Sequence, residues 1–164
     1  MRARMLAPVH ALALSLTALV GGCSGGGGNE VQIPKSTAEG ITIVEPRLVL
    51  PIVKDSAGAV YFTIANETDK PQKILSIDVG GTDMAMIHDT IDKGGVSSMQ
   101  MVQSATVPAN GSMVFAPGGR HVMVTGLKPE LQAGVNTLLK VNFDNGDIAA
   151  VAIPVIPPAA ASGN

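Results

Sequence analysis

Leu139-Lys140-Val141-Asn142-Phe143, followed by the pair Asn145-Gly146 and the run Ile148–Ile153, is the stretch that decides the fold class. Apolar and polar side chains alternate in the first segment, which is typical of a strand with one buried face. Asn-Gly favours a tight hairpin turn because both of its residues tolerate positive φ angles. The stretch therefore predicts an antiparallel β-hairpin near the end of the chain.

Short runs rich in β-branched residues recur before this hairpin, and turn signals separate them. The runs are Ile41–Val44, Ala59–Ile64, Ile74–Ile77, Met99–Val107, Ser112–Phe115 and His121–Val124. No segment carries an apolar stripe at helical period over three turns. We therefore predict a single all-β domain of about seven to nine strands, arranged as a β-sandwich or a Greek-key barrel.

The first 22 residues are typical of a secretory signal peptide. Arg2 and Arg4 precede a mostly apolar run over residues 5–20, which is too short to span a bilayer. The run ends in Val-Gly-Gly-Cys at residues 20–23, which resembles a lipobox, whose cysteine is lipidated and becomes the mature N-terminus. Cys23 is the only cysteine, and lipidation would explain a lone thiol in an exported protein. We predict a lipid anchor at Cys23 on the periplasmic or extracellular side of a membrane.

The rest of the chain divides into three parts. Residues 23–40 begin with the lipidated cysteine, are rich in glycine and polar residues, and are predicted to form a flexible tether. Residues 41–153 are predicted to form the β-domain, and residues 154–164 a disordered tail. Without residues 1–22, nine basic residues face 13 acidic ones, giving a net charge of −4. This mildly acidic balance without basic clusters argues against nucleic-acid binding.

Methionine and histidine are concentrated in one part of the mature sequence. Its only histidines are His88 and His121, and all six of its methionines fall between positions 84 and 123. The methionines are Met84, Met86, Met99, Met101, Met113 and Met123. Packing in a core poor in aromatic residues would explain them. A copper site would also explain them, because thioether sulfur prefers Cu(I) and imidazole suits copper in both oxidation states.

Strand geometry places some of these side chains together. Residues two apart in a strand point to the same face, so His121 and Met123 would emerge side by side after a turn at residues 117–119. Met99 and Met101 would share a face for the same reason. Spacing alone leaves both explanations open, a copper site and a methionine-rich core.

Three aspartates surround His88 in the sequence. Asp83, Asp89 and Asp92 could suggest a site for a hard metal ion, but they lack regular ligand spacing. We interpret them as part of a solvated loop.

The spacing of four residues matches a known pattern. Ten residues separate His88 from Met99, twenty-one separate Met99 from His121, and one separates His121 from Met123. This series resembles the His-X10-Met-X21-His-X-Met pattern of the periplasmic copper chaperones called PCuAC. The block PGGRHVMVTGLK at residues 117–128 is similar to the most recognisable block of that family.

This resemblance covers about residues 41–153 and implies a cupredoxin-like Greek-key β-sandwich. It also implies one Cu(I) per chain, held by His88, Met99, His121 and Met123. We interpret Met86 and Met101 as packing residues or as neighbours of the copper rather than as its ligands. The family delivers copper toward respiratory oxidase assembly, so the implied partner is a copper-accepting protein such as an oxidase subunit or a thioredoxin-like copper chaperone.

Two departures from the family concern partner recognition more than metal binding. Gln100 lies where the family usually has a basic residue, and the early tryptophan of many members is absent. Some members also carry a His- and Met-rich tail that recruits Cu(II), whereas residues 154–164 contain neither residue type. We therefore expect one Cu(I) site and weaker affinity for Cu(II).

Other classes of protein fit the sequence less well. An electron-transfer cupredoxin needs a cysteine ligand, and Cys23 lies at the lipid end. The predicted domain contains no Gly-X-Ser-X-Gly motif, so we predict a binding protein without catalytic residues rather than a hydrolase. The alternative is a structural or interaction lipoprotein with a β-sandwich domain and no metal.

Overall fold

A computed structural model of the protein describes Ile33 and residues 36–158. The predicted signal peptide, Cys23, most of the tether and the last six residues lie outside the described residues. The described part folds into ten β-strands. They are β1 (Ile41–Val49), β2 (Gly58–Asn66), β3 (Gln72–Val79), β4 (Met84–Lys93), β5 (Val96–Val102), β6 (Ala105–Val107), β7 (Gly111–Phe115), β8 (His121–Thr125), β9 (Asn136–Phe143) and β10 (Ile148–Ile156). Within this part, no helix is long and apolar enough to span a membrane.

The strands form two layers that are joined along one side. The first layer has the order β5, β4, β8, β2 and β1, with β7 also paired to β2, and the second has the order β10, β9, β3 and β6. The layers meet where β1 and β10 run parallel, at Leu48 with Val155 and at Val49 with Ile156. Over the described residues the path of paired strands ends at β5 and β6 without closing. The predicted all-β sandwich is therefore confirmed.

Alternating residues build one core between the two layers. Every second residue of β2 is buried, including Val60 and Phe62. Leu139 and Val141 of β9 contribute to the same cluster from the other layer. The ring of Phe62 stacks on that of Phe115, with 4.3 Å between the ring centroids. Each fully buried side chain of this size stabilises the fold by about 1.5–3 kcal/mol relative to exposure. Burial of this core therefore stabilises the packing of the two layers.

The predicted C-terminal hairpin is confirmed. β9 and β10 pair antiparallel from Asn142 with Ile148 to Asn136 with Pro154. The Phe143 amide donates a hydrogen bond to the Asp147 carbonyl across the turn, at 2.9 Å. Gly146 has a φ of +86°, the left-handed conformation expected at the end of a short hairpin loop.

The run Met99–Val107 is not the single strand expected from the sequence. Its first part lies in β5, which pairs with β4 in the first layer, and its last part is β6, which pairs with β3 in the second. The chain crosses between the layers at residues 103–104. This division, together with the long strand β4, gives ten strands rather than seven to nine.

Both predicted ends of the domain lie further out than expected. The amides of Thr37 and Ala38 donate to the Ile148 carbonyl, and the Ala38 side chain is buried. Residues 36–38 therefore pack on the domain instead of belonging to the tether. At the other end β10 continues past residue 153 to Ile156, whose carbonyl accepts a hydrogen bond from Leu50.

Candidate metal centre

The two histidines lie opposite each other on the outer face of the first layer. His88 of β4 pairs with His121 of β8 and, on its other side, with Met101 of β5. Opposite residues in antiparallel strands point to the same face. The neighbouring positions Ile87 and Val122 are buried in the core. The histidines and Met101 therefore point away from the core.

The other two predicted ligands border His88 on the same face. Met123 follows His121 by two residues on β8, and Met99 lies opposite Thr90 on β5. Both are diagonal neighbours of His88, a relation in which Cα atoms are about 7–8 Å apart and long side chains still meet. The fold thus brings all four predicted ligands to one surface, with His88 at its centre.

Met101, rather than Met99, is the methionine directly opposite His88. The reason is the turn at Gly94 and Gly95, where both residues have positive φ angles and Lys93 pairs with Val96. Counting five residues outward along each strand from that pair brings His88 opposite Met101. The Gly-Gly pair in the sequence is a signal that could have found this register, because a two-residue turn fixes it.

The exposed methionines contradict a purely structural origin of the cluster. Met99, Met101 and Met84 are 67%, 55% and 54% exposed. Met86 lies directly opposite Met123, and both are half-buried on the same outer face. Core packing therefore does not explain the methionines of β4 and β5, and neighbouring exposed apolar side chains are typical of a binding surface.

The histidine side chains are suited to bind a metal ion. Their ring centroids are 5.9 Å apart. His121 Nδ1 lies 3.0 Å from the Gly119 carbonyl oxygen, which can only accept, so in the neutral imidazole the proton is on Nδ1 and the lone pair on Nε2. His88 Nδ1 is buried and has no hydrogen-bond partner among the described residues. Leaving such a nitrogen unsatisfied costs free energy, and a bound metal near it would offset that cost.

The side chains around His88 and His121 offer soft donor atoms. The described residues contain no group of three or more His, Cys, Asp or Glu side chains that could hold a metal ion. The soft side-chain donors that border His88 and His121 on this face are methionine sulfurs. That combination favours Cu(I) over zinc, calcium or magnesium.

The turn between β7 and β8 holds His121 in place. The Ala116 amide donates to the Arg120 carbonyl at 2.7 Å, and Gly118 has a φ of +76°, so the turn predicted at residues 117–119 is confirmed. The Thr90 amide of β4 donates to the Gly119 carbonyl, the same oxygen that orients His121. The turn is thus attached to the strand that carries His88.

An ion pair underlies the two histidines. Arg120 Nε and Nη2 donate to the two carboxylate oxygens of Asp89, both at 2.7 Å. Arg120 Nη1 also lies 3.1 Å from the Met113 sulfur, which packs against the core. Each charged residue is the chain neighbour of one histidine, so the ion pair adds a side-chain link between β4 and the start of β8 where these strands pair His88 with His121. Interpreting Asp89 as part of a solvated loop was therefore wrong: it lies in β4, and its partner is 31 residues away.

We expect Asp89→Asn to lower the free energy of unfolding of the metal-free protein by about 1 kcal/mol at neutral pH, as for a bidentate pair near the surface. The hydrogen bonds from Arg120 lower the pKa of the Asp89 carboxyl against the opposing effect of partial burial. A lowered folded-state pKa contributes stability above the unfolded pKa and loses it as the pH falls through the folded one.

Urea denaturation at neutral and acidic pH tests this expectation. The difference between parent and variant should close in acid. Asp69→Asn, at an exposed position between β2 and β3, is the matched control and should have no such effect. A difference that persists unchanged in acid would contradict the assignment to the ion pair.

Comparison with known proteins identifies the family. Residues 41–155 match the family LpqE-like, described as "Putative lipoprotein LpqE-like". "Putative lipoprotein Lxx21020" of Leifsonia xyli subsp. xyli is 30% identical over 152 residues, which cover 90% of this chain and 86% of that protein. "Uncharacterized protein RP573" of Rickettsia prowazekii is 32% identical over 106 residues, covering 62% and 57%.

Solved structures show the same fold. The "Copper-bound PCuAC domain from PmoF2" superposes with a TM-score of 0.61 at 16% identity, covering 78% of this chain and all of that domain. The solution structure of CuI-DR1885 from Deinococcus radiodurans has a TM-score of 0.54 at 29% identity, covering 76% and 80%. The predicted cupredoxin-like fold and the resemblance to PCuAC domains are thereby confirmed. The chain belongs to the LpqE-like lipoprotein family, and its domain has the fold of PCuAC copper-chaperone domains.

Proposed function

We propose that this protein is an extracytoplasmic copper(I) chaperone. One Cu(I) binds to the chain through His88, Met99, His121 and Met123, and the protein passes it to an acceptor protein. The observation that carries the proposal is the facing pair of histidines on the outer face of β4 and β8, where His121 is buried and His88 half-buried, bordered by methionines of which Met99 is exposed. The likeness to a copper-bound PCuAC domain and to the Cu(I) form of DR1885 supports it.

The chemistry of the four ligands suits transfer as well as binding. Two neutral imidazoles and two thioethers add no charge, so they suit a monovalent ion better than Cu(II). Thioethers do not form disulfides, which keeps the ligands available in an oxidising compartment. Met99 is 67% exposed, so an acceptor can reach the ion. Soft thiolates of an acceptor would bind Cu(I) more strongly, which makes transfer downhill.

The place of action follows from the N-terminus. Lipidation of Cys23 would anchor the protein on the periplasmic or extracellular side of a membrane, and the family's lipoprotein description supports this. The resemblance to PCuAC chaperones points to copper-site assembly of a respiratory oxidase as the destination. The acceptor would be an oxidase subunit or a thioredoxin-like copper chaperone.

An anaerobic Cu(I) competition titration tests the proposal. The mature chain is used with Cys23→Ser, because a free thiol would itself bind Cu(I). A calibrated chromophoric chelator should lose one tight equivalent of Cu(I) to the protein, and a peptide with a Cys-X-X-Cys motif should then remove it. Failure of the folded protein to compete would exclude the chaperone function and leave a structural or interaction lipoprotein.

A further inference from the structure

Three methionines lie together beside the histidines on β4 and β8. Met86 is directly opposite Met123, and Met84 lies two residues earlier on the same face of β4. Side chains directly opposite each other in antiparallel strands have Cβ atoms about 4.5–5.5 Å apart. The residue opposite Met84 is Thr125, whose hydroxyl is a hard donor. Among these paired positions of β4 and β8, the soft donors are therefore the methionine sulfurs.

Packing does not account for this group. Ala85 and Ile87 alternate with these methionines along β4 and face the core, where Ile87 is buried and Ala85 packs against the core cluster. Met84 is 54% exposed, and Met86 and Met123 are half-buried. Three neutral thioethers on a solvent-facing surface are chemically suited to a soft monovalent ion and poorly suited to Cu(II), zinc or calcium.

We propose that Met84, Met86 and Met123 form a second, weaker Cu(I) position that uses sulfur alone and shares Met123 with the histidine site. The inference rests on the proposed function in one respect, the assignment of Met123 to both positions. Because Met123 is shared, a single ion occupies one position or the other, and the chain keeps one tight Cu(I). Copper moves between them by exchanging imidazole for thioether ligands while Met123 stays bound.

The sulfur-only position lies at the opposite end of the surface from Met99. Along β4 the order is Met84, Met86, His88, so the sulfur-only end lies on the side of the histidines away from Met99. The histidine site is bordered by the turn at residues 116–120. The sulfur-only position therefore gives Cu(I) a separate point of entry or departure, next to the most exposed methionine of β4.

The test begins with His88→Ala combined with His121→Ala in the mature Cys23→Ser chain. Titrated anaerobically with Cu(I), this histidine-free variant should still bind one equivalent weakly, and X-ray absorption should show sulfur ligands without imidazole. Adding Met84→Leu and Met86→Leu should weaken that binding by about tenfold or more. The matched control adds Met99→Leu and Met101→Leu, the same number of methionines on the same face, and should leave the binding unchanged. Absence of binding, or an equal effect of the two pairs, would overturn the proposal.

A second measurement does not depend on the folding of the histidine-free variant. In the Cys23→Ser chain labelled at the methionine methyl groups, addition of the first equivalent of Cu(I) should shift the Met84 and Met86 signals in NMR spectra, because that ion exchanges between the two positions. Unchanged signals would overturn the proposal. Met84→Leu with Met86→Leu should keep the tight first equivalent within about threefold, well under 1 kcal/mol. If the Cys23→Ser chain binds no tight equivalent of Cu(I), the proposed function is refuted. The sulfur-only position is then tested by the histidine-free variant alone.

Discussion

His121→Ala combined with Met123→Ala is expected to lower the affinity for Cu(I) by a factor of at least about 10³, or roughly 4 kcal/mol. The double variant removes one imidazole and one thioether and leaves only His88 and Met99 of the proposed ligands. His121 is the better oriented of the two histidines, because its Nδ1 faces the Gly119 carbonyl and its Nε2 is free. Its loss also removes the pairing of two imidazoles across β4 and β8.

The measurement is the competition titration of the Cys23→Ser chain, with parent and variant side by side. Lys140→Ala with Asn142→Ala is the matched control, since it also changes two residues spaced by two on the partly exposed face of a strand, in the other layer. That control should keep the parent affinity. His121 is 7% exposed, so thermal melting must show that the double variant is folded. A folded double variant with the affinity of the parent would refute the assignment of the site.

Sequence reasoning could name the four candidate ligands because their spacing can be read directly from the chain. The intervals between His88, Met99, His121 and Met123 match the PCuAC pattern, and the register of β4, β5 and β8 places the four residues on one face. The place of Met101 opposite His88 does not follow from ligand spacing, because strand register depends on the geometry of the turn at Gly94 and Gly95. The Asp89–Arg120 pair was missed because residues 31 apart in sequence meet only through tertiary structure.

Individual strands of the fold could be predicted from the sequence, but their assignment to the two layers could not. Alternation of apolar and polar residues identifies a half-buried strand but does not say which layer it joins. The hairpin of β9 and β10 was therefore predicted, since its turn residues are adjacent in sequence. The crossing at residues 103–104 was not, because β5 and β6 follow the same alternation and differ only in their partners, β4 and β3. The burial of Ala38 depends likewise on a long-range contact with Ile148.

Phe62→Ala is expected to lower the free energy of unfolding of the metal-free protein by about 3–5 kcal/mol. Phe62 is 2% exposed and stacks on Phe115 with an interplanar angle of 16°. The chain has only three phenylalanines, one tyrosine and no tryptophan, so few other side chains can fill the cavity. Phe115 ends β7 directly before the turn that carries Arg120, so we expect the cavity to loosen the support of His121 as well.

Urea denaturation of the Cys23→Ser chain measures this effect, with Val114→Ala as the control. Val114 is 56% exposed on the neighbouring strand, and its replacement should change stability by about 0.5 kcal/mol or less. A ligand that binds only the folded state stabilises it by an amount that grows with the logarithm of its affinity. If the cavity loosens the histidine site, Cu(I) should therefore stabilise Phe62→Ala less than Val114→Ala. Equal stabilisation of both variants would show that the aromatic core does not influence the affinity of the histidine site for Cu(I).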